Sequence, residues 1–309
     1  MNKIIVFCER MFKMESVAKN WNPLYKTMDG EREIMALYDS VLQNWLAPFT
    51  TVLLPTRHGD TFVIESGEKK APPLILLHGA ASNAVSWIGD VAEYSKHFRV
   101  FAVDIIGNPG KSAPTRPAWD GPGYAEWLED VVDGLKLDKA SLLGLSQGGW
   151  TALKFAAYRP ERVTKLVLLA PAGIIPARGS FLLKAIFYTM LGRWGADRLN
   201  RYIFGKQPMD PLAVKFMNSI MTHFNARVEK EYIFSDEELM RLKMPVLFIG
   251  GQEDVIQSIK DAAARLEKLL PDLHSIIIPD IGHVLVNTAK RVIPFLLQDI
   301  LVSTKQNKE

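Results

Sequence analysis

Ser146, Asp254 and His283 are the side chains of this 309-residue sequence whose types and settings suit nucleophilic catalysis. Ser146 is the centre of Gly144-Leu145-Ser146-Gln147-Gly148-Gly149. A serine hydroxyl is a poor nucleophile near neutral pH. It needs a base within hydrogen-bond reach and a third group that orients the base. The Gly-x-Ser-x-Gly pattern alone is weak, with about 0.1 chance matches in a chain of this size at ordinary glycine and serine usage. Its context is stronger. The apolar run 140–145 reads as a strand and 149–158 as a helix, the strand–turn–helix setting in which a nucleophilic serine is presented. The turn strains the serine backbone, and side chains at 144 and 148 would collide with the flanking strand and helix.

The partners follow in the order serine, acid, histidine. Asp254 comes just past Pro245-Val246-Leu247-Phe248-Ile249-Gly250-Gly251, a buried strand ending in two glycines. Glu253 is its neighbour and its rival, and Asp254 also suits a helix N-cap for the residues from Ile256 onward. His283 lies in a Gly-His turn after the last strand-like run, 275–278. A tetrahedral intermediate needs donors aimed at its oxyanion. The backbone N–H of Gln147, the residue after the serine, offers one, and that of Ala80, in His78-Gly79-Ala80-Ala81-Ser82, offers the other. The His78 side chain is expected to hold this loop and not to serve as the base.

The elements that must position these groups read as an alternation. Strands are expected at 51–55, 61–66, 74–77, 100–103, 140–145, 166–169, 246–249 and 276–278, the continuous apolar runs being those of strands covered on both faces. Helical patterns at 125–135, 149–158 and 259–270 lie between them, which argues for a mainly parallel sheet with helices on both sides. Ile34, Leu37, Tyr38, Val41, Leu42 and Trp45 form one apolar stripe, predicting a helix that packs on the main body. Residues 1–30 show little periodicity and are expected on the surface. Between Pro171 and Met244 the alternation stops, and helices are expected near 181–191, 196–203, 212–224 and 236–242. The organisation is therefore an N-terminal extension (1–48), a core (49–172 and 244–309) and an inserted helical cap (173–243). Of the cap aromatics Phe181, Phe187, Tyr188, Trp194, Phe204, Phe216 and Phe224, most are expected to pack inside the cap and some to line an apolar pocket.

The bulk properties give no support to several classes. Thirty-seven basic against 34 acidic residues leave +3, too little to argue for nucleic acid or an anionic membrane. Cys8 is the single cysteine, so no intramolecular disulfide forms. The six histidines are scattered without ligand spacing, so no metal is expected. No apolar run reaches membrane-spanning length, and Ile4-Ile5-Val6-Phe7 is too short for a secretory signal. The expectation is a soluble cytoplasmic protein without membrane insertion.

With these residues assembled, roughly 50–300 resembles the α/β-hydrolase superfamily, more narrowly the capped, single-chain bacterial carboxylesterases. The resemblance rests on His78-Gly79, Asp104-x-x-Gly107-x-x-Gly110-Lys111-Ser112, Gly144-x-Ser146-x-Gly148-Gly149, Pro160-Glu161-Arg162-Val163, Gly251-x-x-Asp254 and Gly282-His283. It implies an eight-stranded, mostly parallel sheet with a lid after the sixth strand, a triad of Ser146, Asp254 and His283, and oxyanion donors at Ala80 and Gln147. It implies hydrolysis of a small carboxylic ester through an acyl-enzyme, without a cofactor. A homodimer is compatible with it. C–C bond hydrolases, lactonases, amidases and cofactor-free haloperoxidases share such a triad, and some small-molecule receptors keep the fold. Two departures stand out: Asn108 and Pro109 between the glycines of the loop after Asp104, and Ile256-Gln257-Ser258 where many relatives carry a proline beyond the acid.

Overall fold

A computed structural model describes residues 22–306 except Met209, with side chains through Gln298. Its centre is an eight-stranded sheet ordered β1-β2-β4-β3-β5-β6-β7-β8. The strands are β1 (Phe49–Leu54), β2 (Thr61–Ser66), β3 (Pro73–Leu77), β4 (Arg99–Val103), β5 (Ala140–Leu145), β6 (Val163–Leu169), β7 (Val246–Gly251) and β8 (Leu273–Ile278). β2 runs antiparallel to β1 and β4, and all other neighbours are parallel. This is the mostly parallel eight-stranded sheet anticipated from the apolar runs. The continuous runs in β3, β5 and β7 are buried along nearly their whole length, as strands sandwiched between helices must be. Parallel neighbours place the ends of these strands, and the loops that leave them, on one side of the sheet.

The helices are α1 (Met28–Gln43), α2 (Ile88–Tyr94), α3 (Gly123–Gly134), α4 (Gln147–Tyr158), α5 (Gly179–Thr189), α6 (Gly192–Phe204), α7 (Pro211–His223), α8 (Asp236–Leu239), α9 (Ile259–Leu269) and α10 (Ala289–Gln306). Thr27 caps α1 by accepting from the Gly30 N–H, and the stripe Ile34, Leu37, Tyr38, Val41 and Leu42 is buried as its spacing requires. α8 stops at Leu239, earlier than the anticipated 242, although a capping box between Ser235 and Glu238 starts it. α2 and α10 went unread in the sequence. The first is two turns long, and Pro294 interrupts the second where a proline ordinarily ends a helix.

Four helices, α5 to α8, occupy the segment between β6 and β7, as the break in alternation predicts. The N-terminal stretch is fastened to this insertion. Lys26 N–H donates to the His223 carbonyl (2.8 Å) and Asn225 N–H to that of Leu24 (2.7 Å). Leu24 and Tyr25 are buried by this contact, so the expected surface position of residues 1–30 is corrected there. A backbone pairing with a segment two hundred residues away has no periodicity to betray it. Residues 1–21, including Cys8, lie outside the described residues. A second correction concerns the insertion's aromatics: Phe216 and Phe224 are buried, but Phe187 and Trp194 are exposed.

Asp104, at the end of β4, is wholly buried and ties three parts of the chain together. It accepts from the N–H groups of Ala84 (2.6 Å) and Lys111 (2.7 Å) and from the Tyr38 hydroxyl of α1 (3.1 Å). Burial pushes its carboxyl up to about 6, against these hydrogen bonds, which favour the charged form. A carboxyl with a raised folded-state value binds its proton more tightly folded than unfolded. Its ionisation therefore costs stability as pH rises through about 6. In paired urea titrations, wild type is expected to gain unfolding free energy relative to Asp104→Asn as pH falls from about 7 to about 4. The gain is at most about 3 kcal/mol, from a rise of roughly two pH units.

Candidate active site

Ser146 stands between β5 and α4 with φ 51° and ψ −112°, a conformation that costs of order 1–3 kcal/mol in a non-glycine residue. The surroundings over-determine it. Its N–H donates to the Leu169 carbonyl (2.9 Å), and its own carbonyl accepts from Trp150 (2.9 Å) and Ala172 (3.1 Å). A Cβ at Gly144 would collide with the backbone of Gly148 and Gly149, and one at Gly148 with the carbonyls of Leu77 and His78. The glycines thus let the start of α4 press against the end of β3, which brings Ser146 beside Gly79.

That contact places Gln147 near the loop after β3. Neither the Ala80 N–H nor the Gln147 N–H has a protein acceptor among the described residues. The loop is held from beneath by His78. Its Nε2 accepts from the Ile105 N–H (2.9 Å), so its Nδ1 carries the proton and donates to the Gly79 carbonyl (2.8 Å). Burial lowers this imidazole to about 4, which keeps it neutral. Asn108 holds the loop from the side: its Oδ1 accepts from the Ala81 N–H (3.1 Å), while Asn83 donates to the Pro109 carbonyl (2.8 Å). The residues that depart from the usual glycine-rich loop are therefore the ones that brace the Ala80 turn. An Asn-Pro pair signals a turn; its target is fixed only in three dimensions.

On the other side, His283 Nδ1 lies 2.7 Å from Asp254 Oδ2, both side chains almost fully buried. The carboxylate accepts from Nδ1–H, so the lone pair of the neutral ring is on Nε2. Nε2 is buried and without a hydrogen-bond partner among the described residues. Asp254 Oδ1 accepts from the N–H groups of Ile256 (2.7 Å) and Gln257 (3.1 Å). It caps a turn and not a helix, because α9 begins only at Ile259 with Ser258 as its N-cap. Glu253 points away, 3.8 Å from Lys206 Nζ. The acid and base loops cross closely: a Cβ at Gly251 would strike the carbonyls of Ile281 and Gly282. Gln257, at the second departure, donates to the carbonyls of Ala170 (3.1 Å) and Pro171 (2.9 Å) and so ties the acid loop to the end of β6.

Two further groups escaped the sequence. The Trp150 ring, one turn beyond Ser146, meets Trp119 edge-on at 4.6 Å and lies 5.6 Å from Phe234. Its indole N–H donates to the Tyr232 carbonyl (3.0 Å), which ties the start of α4 to the chain entering α8. That chain carries Glu231, half-buried beside a cavity of about 440 Å³ that is also lined by Trp119, Asp120 and Tyr232. The cavity is of ligand size, but its wall is more acidic than the apolar pocket the aromatics suggested. Burial pushes the Glu231 carboxyl up to about 7, and the charge of His283 acts on it in the opposite sense. An isolated glutamate in an irregular stretch carries no sequence signal of such a position.

Comparison with known proteins bears on the fold that carries these residues. A family model described as the alpha/beta hydrolase fold matches residues 72–288. Two carboxylesterases of Bacillus subtilis are similar over most of their length. The first, nap, is 34% identical over 80% of this chain and 85% of its own; the second, YbfK, is 33% identical over 80% and 86%. The crystal structure of naproxen esterase (carboxylesterase NP) from Bacillus subtilis superposes with a TM-score of 0.80 at 31% identity, covering 88% of this chain and 99% of the other.

The contact at Gly148 has a measurable consequence. Gly148→Ala sets a methyl group against backbone that cannot yield and is expected to cost more than about 2 kcal/mol. Gly179→Ala, where a Cβ meets nothing within 4 Å, is expected to be neutral or slightly stabilising. Chemical denaturation of the two variants gives both values.

Proposed function

The chain belongs to the α/β-hydrolase fold family, and on that premise we propose that it is a serine carboxylesterase acting on a small carboxylic ester through an acyl-enzyme. The observation that carries the reading is the buried His283–Asp254 pair, which leaves His283 Nε2 free, together with the strained backbone that presents Ser146. His283 removes the Ser146 proton as Oγ attacks the ester carbonyl carbon. Asp254 holds the ring in the tautomer that can accept the proton and stabilises the imidazolium that results. The Ala80 and Gln147 N–H groups take the negative charge that develops on the carbonyl oxygen. The imidazolium returns the proton to the departing alcohol. A water deprotonated by the same nitrogen then attacks the acyl-enzyme and releases the acid. Residues 173–243 act as a cap over the core formed by 49–172 and 244–309. The cap supplies Glu231, whose carboxyl responds to the charge of His283, and thereby influences which esters are accepted.

Ser146→Ala is expected to lower turnover of a p-nitrophenyl ester at least about 10³-fold with an unchanged circular dichroism spectrum. A fluorophosphonate probe is expected to label wild type at Ser146 and to leave the variant unlabelled. Undiminished hydrolysis by Ser146→Ala refutes the assignment. Glu231→Gln tests the cavity. With its carboxyl pushed up to about 7, Glu231 becomes an anion only near and above neutral pH, so wild type and Glu231→Gln are expected to have similar kcat/KM below about pH 6 and to diverge as pH rises through about 7. Superimposable pH profiles separate Glu231 from the chemistry.

A further inference from the structure

The α5–α6 pair presents a surface that the hydrolytic reading leaves unused. α5 buries none of its residues. Among the described residues, seven of the sixteen exposed large apolar side chains fall between 182 and 194. Leu183 (72% exposed), Ile186, Phe187, Met190 (80%), Leu191 and Trp194 are chief among them. Elsewhere such side chains are scattered along the chain, as on any soluble protein. A concentrated apolar face of this kind marks a site of interaction.

Charge decides what it meets. Residues 178–206 carry six Lys or Arg against one acid, Asp197, a net +5, whereas the whole chain carries +3. Asp197 is taken by Arg201 (2.8 Å), and Lys206 faces Glu253 (3.8 Å). Arg178, Lys184 and Arg193 are exposed and have no carboxylate partner among the described residues, and Arg198 is exposed, its charge acting on the same Asp197 that Arg201 binds. Two of these cations lie along aromatic rings: the Arg198 guanidinium 5.1 Å from the Trp194 ring and Lys184 Nζ 4.4 Å from that of Tyr202. A second copy packed on this face by two-fold symmetry would oppose one cationic cluster to another. Apolar side chains including a tryptophan, in a segment with exposed cations in excess over carboxylates, instead match an anionic lipid surface, where acyl chains receive the former and headgroups the latter.

We infer that the α5–α6 face docks this protein peripherally on an anionic lipid bilayer. No helix among the described residues is long and apolar enough to cross a membrane, so the contact is interfacial. Both ends of the pair are fastened to the candidate site. The Arg178 N–H donates to the Ile256 carbonyl (2.7 Å) in the turn after Asp254, and the His283 N–H donates to the Ile203 carbonyl (3.0 Å) near the end of α6. Docking therefore holds the acid and base loops close to the lipid surface, where amphiphilic esters concentrate.

Co-sedimentation of the full chain with vesicles tests this and does not depend on the esterase reading. Wild type is expected to bind vesicles of phosphatidylcholine mixed with phosphatidylglycerol and to leave pure phosphatidylcholine vesicles largely unbound. Binding should weaken as ionic strength rises and the Debye length falls from about 30 Å to about 8 Å. The double variants Leu183→Asp/Phe187→Asp and Lys184→Glu/Arg193→Glu are each expected to lose about tenfold or more in vesicle affinity. Both should hydrolyse a water-soluble short-chain ester like wild type, because none of these four residues belongs to the catalytic machinery. No binding by wild type, or equal binding to neutral and anionic vesicles, overturns the inference. So does a concentration-dependent dimer that Leu183→Asp/Phe187→Asp abolishes, which would assign the face to a second copy.

Discussion

The backbone contact between the start of α4 and the end of β3 sets the geometry on which the other site features depend. Gly144 and Gly148 leave no room for a methyl group, so the chain reverses from strand to helix within a few residues and Ser146 is held at φ 51°. A serine on an ordinary helix or strand would lie along the surface of its element. Here it stands where β5 ends, beside Gly79, next to the Gln147 N–H, which has no protein acceptor among the described residues. The strain is local and is offset by the interior of the sheet, which is buried through β3, β5, β6 and β7.

Around that turn, a few buried polar groups convert loops into rigid mounts. Asp104 joins α1, the turn before α2 and the loop at Lys111; His78 and Asn108 support the Ala80 turn; Gln257 ties the acid loop to β6. Each is partnered, as a buried polar group must be to avoid a desolvation cost of a few kcal/mol. The free His283 Nε2 contrasts with them and is chemically meaningful for that reason.

The insertion divides its labour between two faces. Its inner side meets the core through Phe216, Phe224 and Phe234, and it carries Glu231, whose carboxyl responds to the charge of His283. Its outer side carries the apolar and cationic residues of α5 and α6.

Periodicity and local motif determined much of this protein from the sequence alone. The apolar runs located all eight strands, the stripe from Ile34 to Val41 located α1, and the glycines around Ser146, Asp254 and His283 singled out candidates whose loops the fold does bring to one end of the sheet. Those signals are legible because each depends on neighbours within one element or one turn. What remained for the tertiary structure were contacts between distant segments. The choice of Asp254 over Glu253, the bracing of the Ala80 turn through Ala81 by Asn108, the burial of Leu24 and Tyr25 against the insertion and the electrostatic influence of His283 on Glu231 all join residues far apart in the chain. The exposure of Phe187 and Trp194 is of the same kind. An aromatic residue reads alike in the sequence whether it fills a core or faces outward, and only the packing of α5 on α6 decided that these two face out.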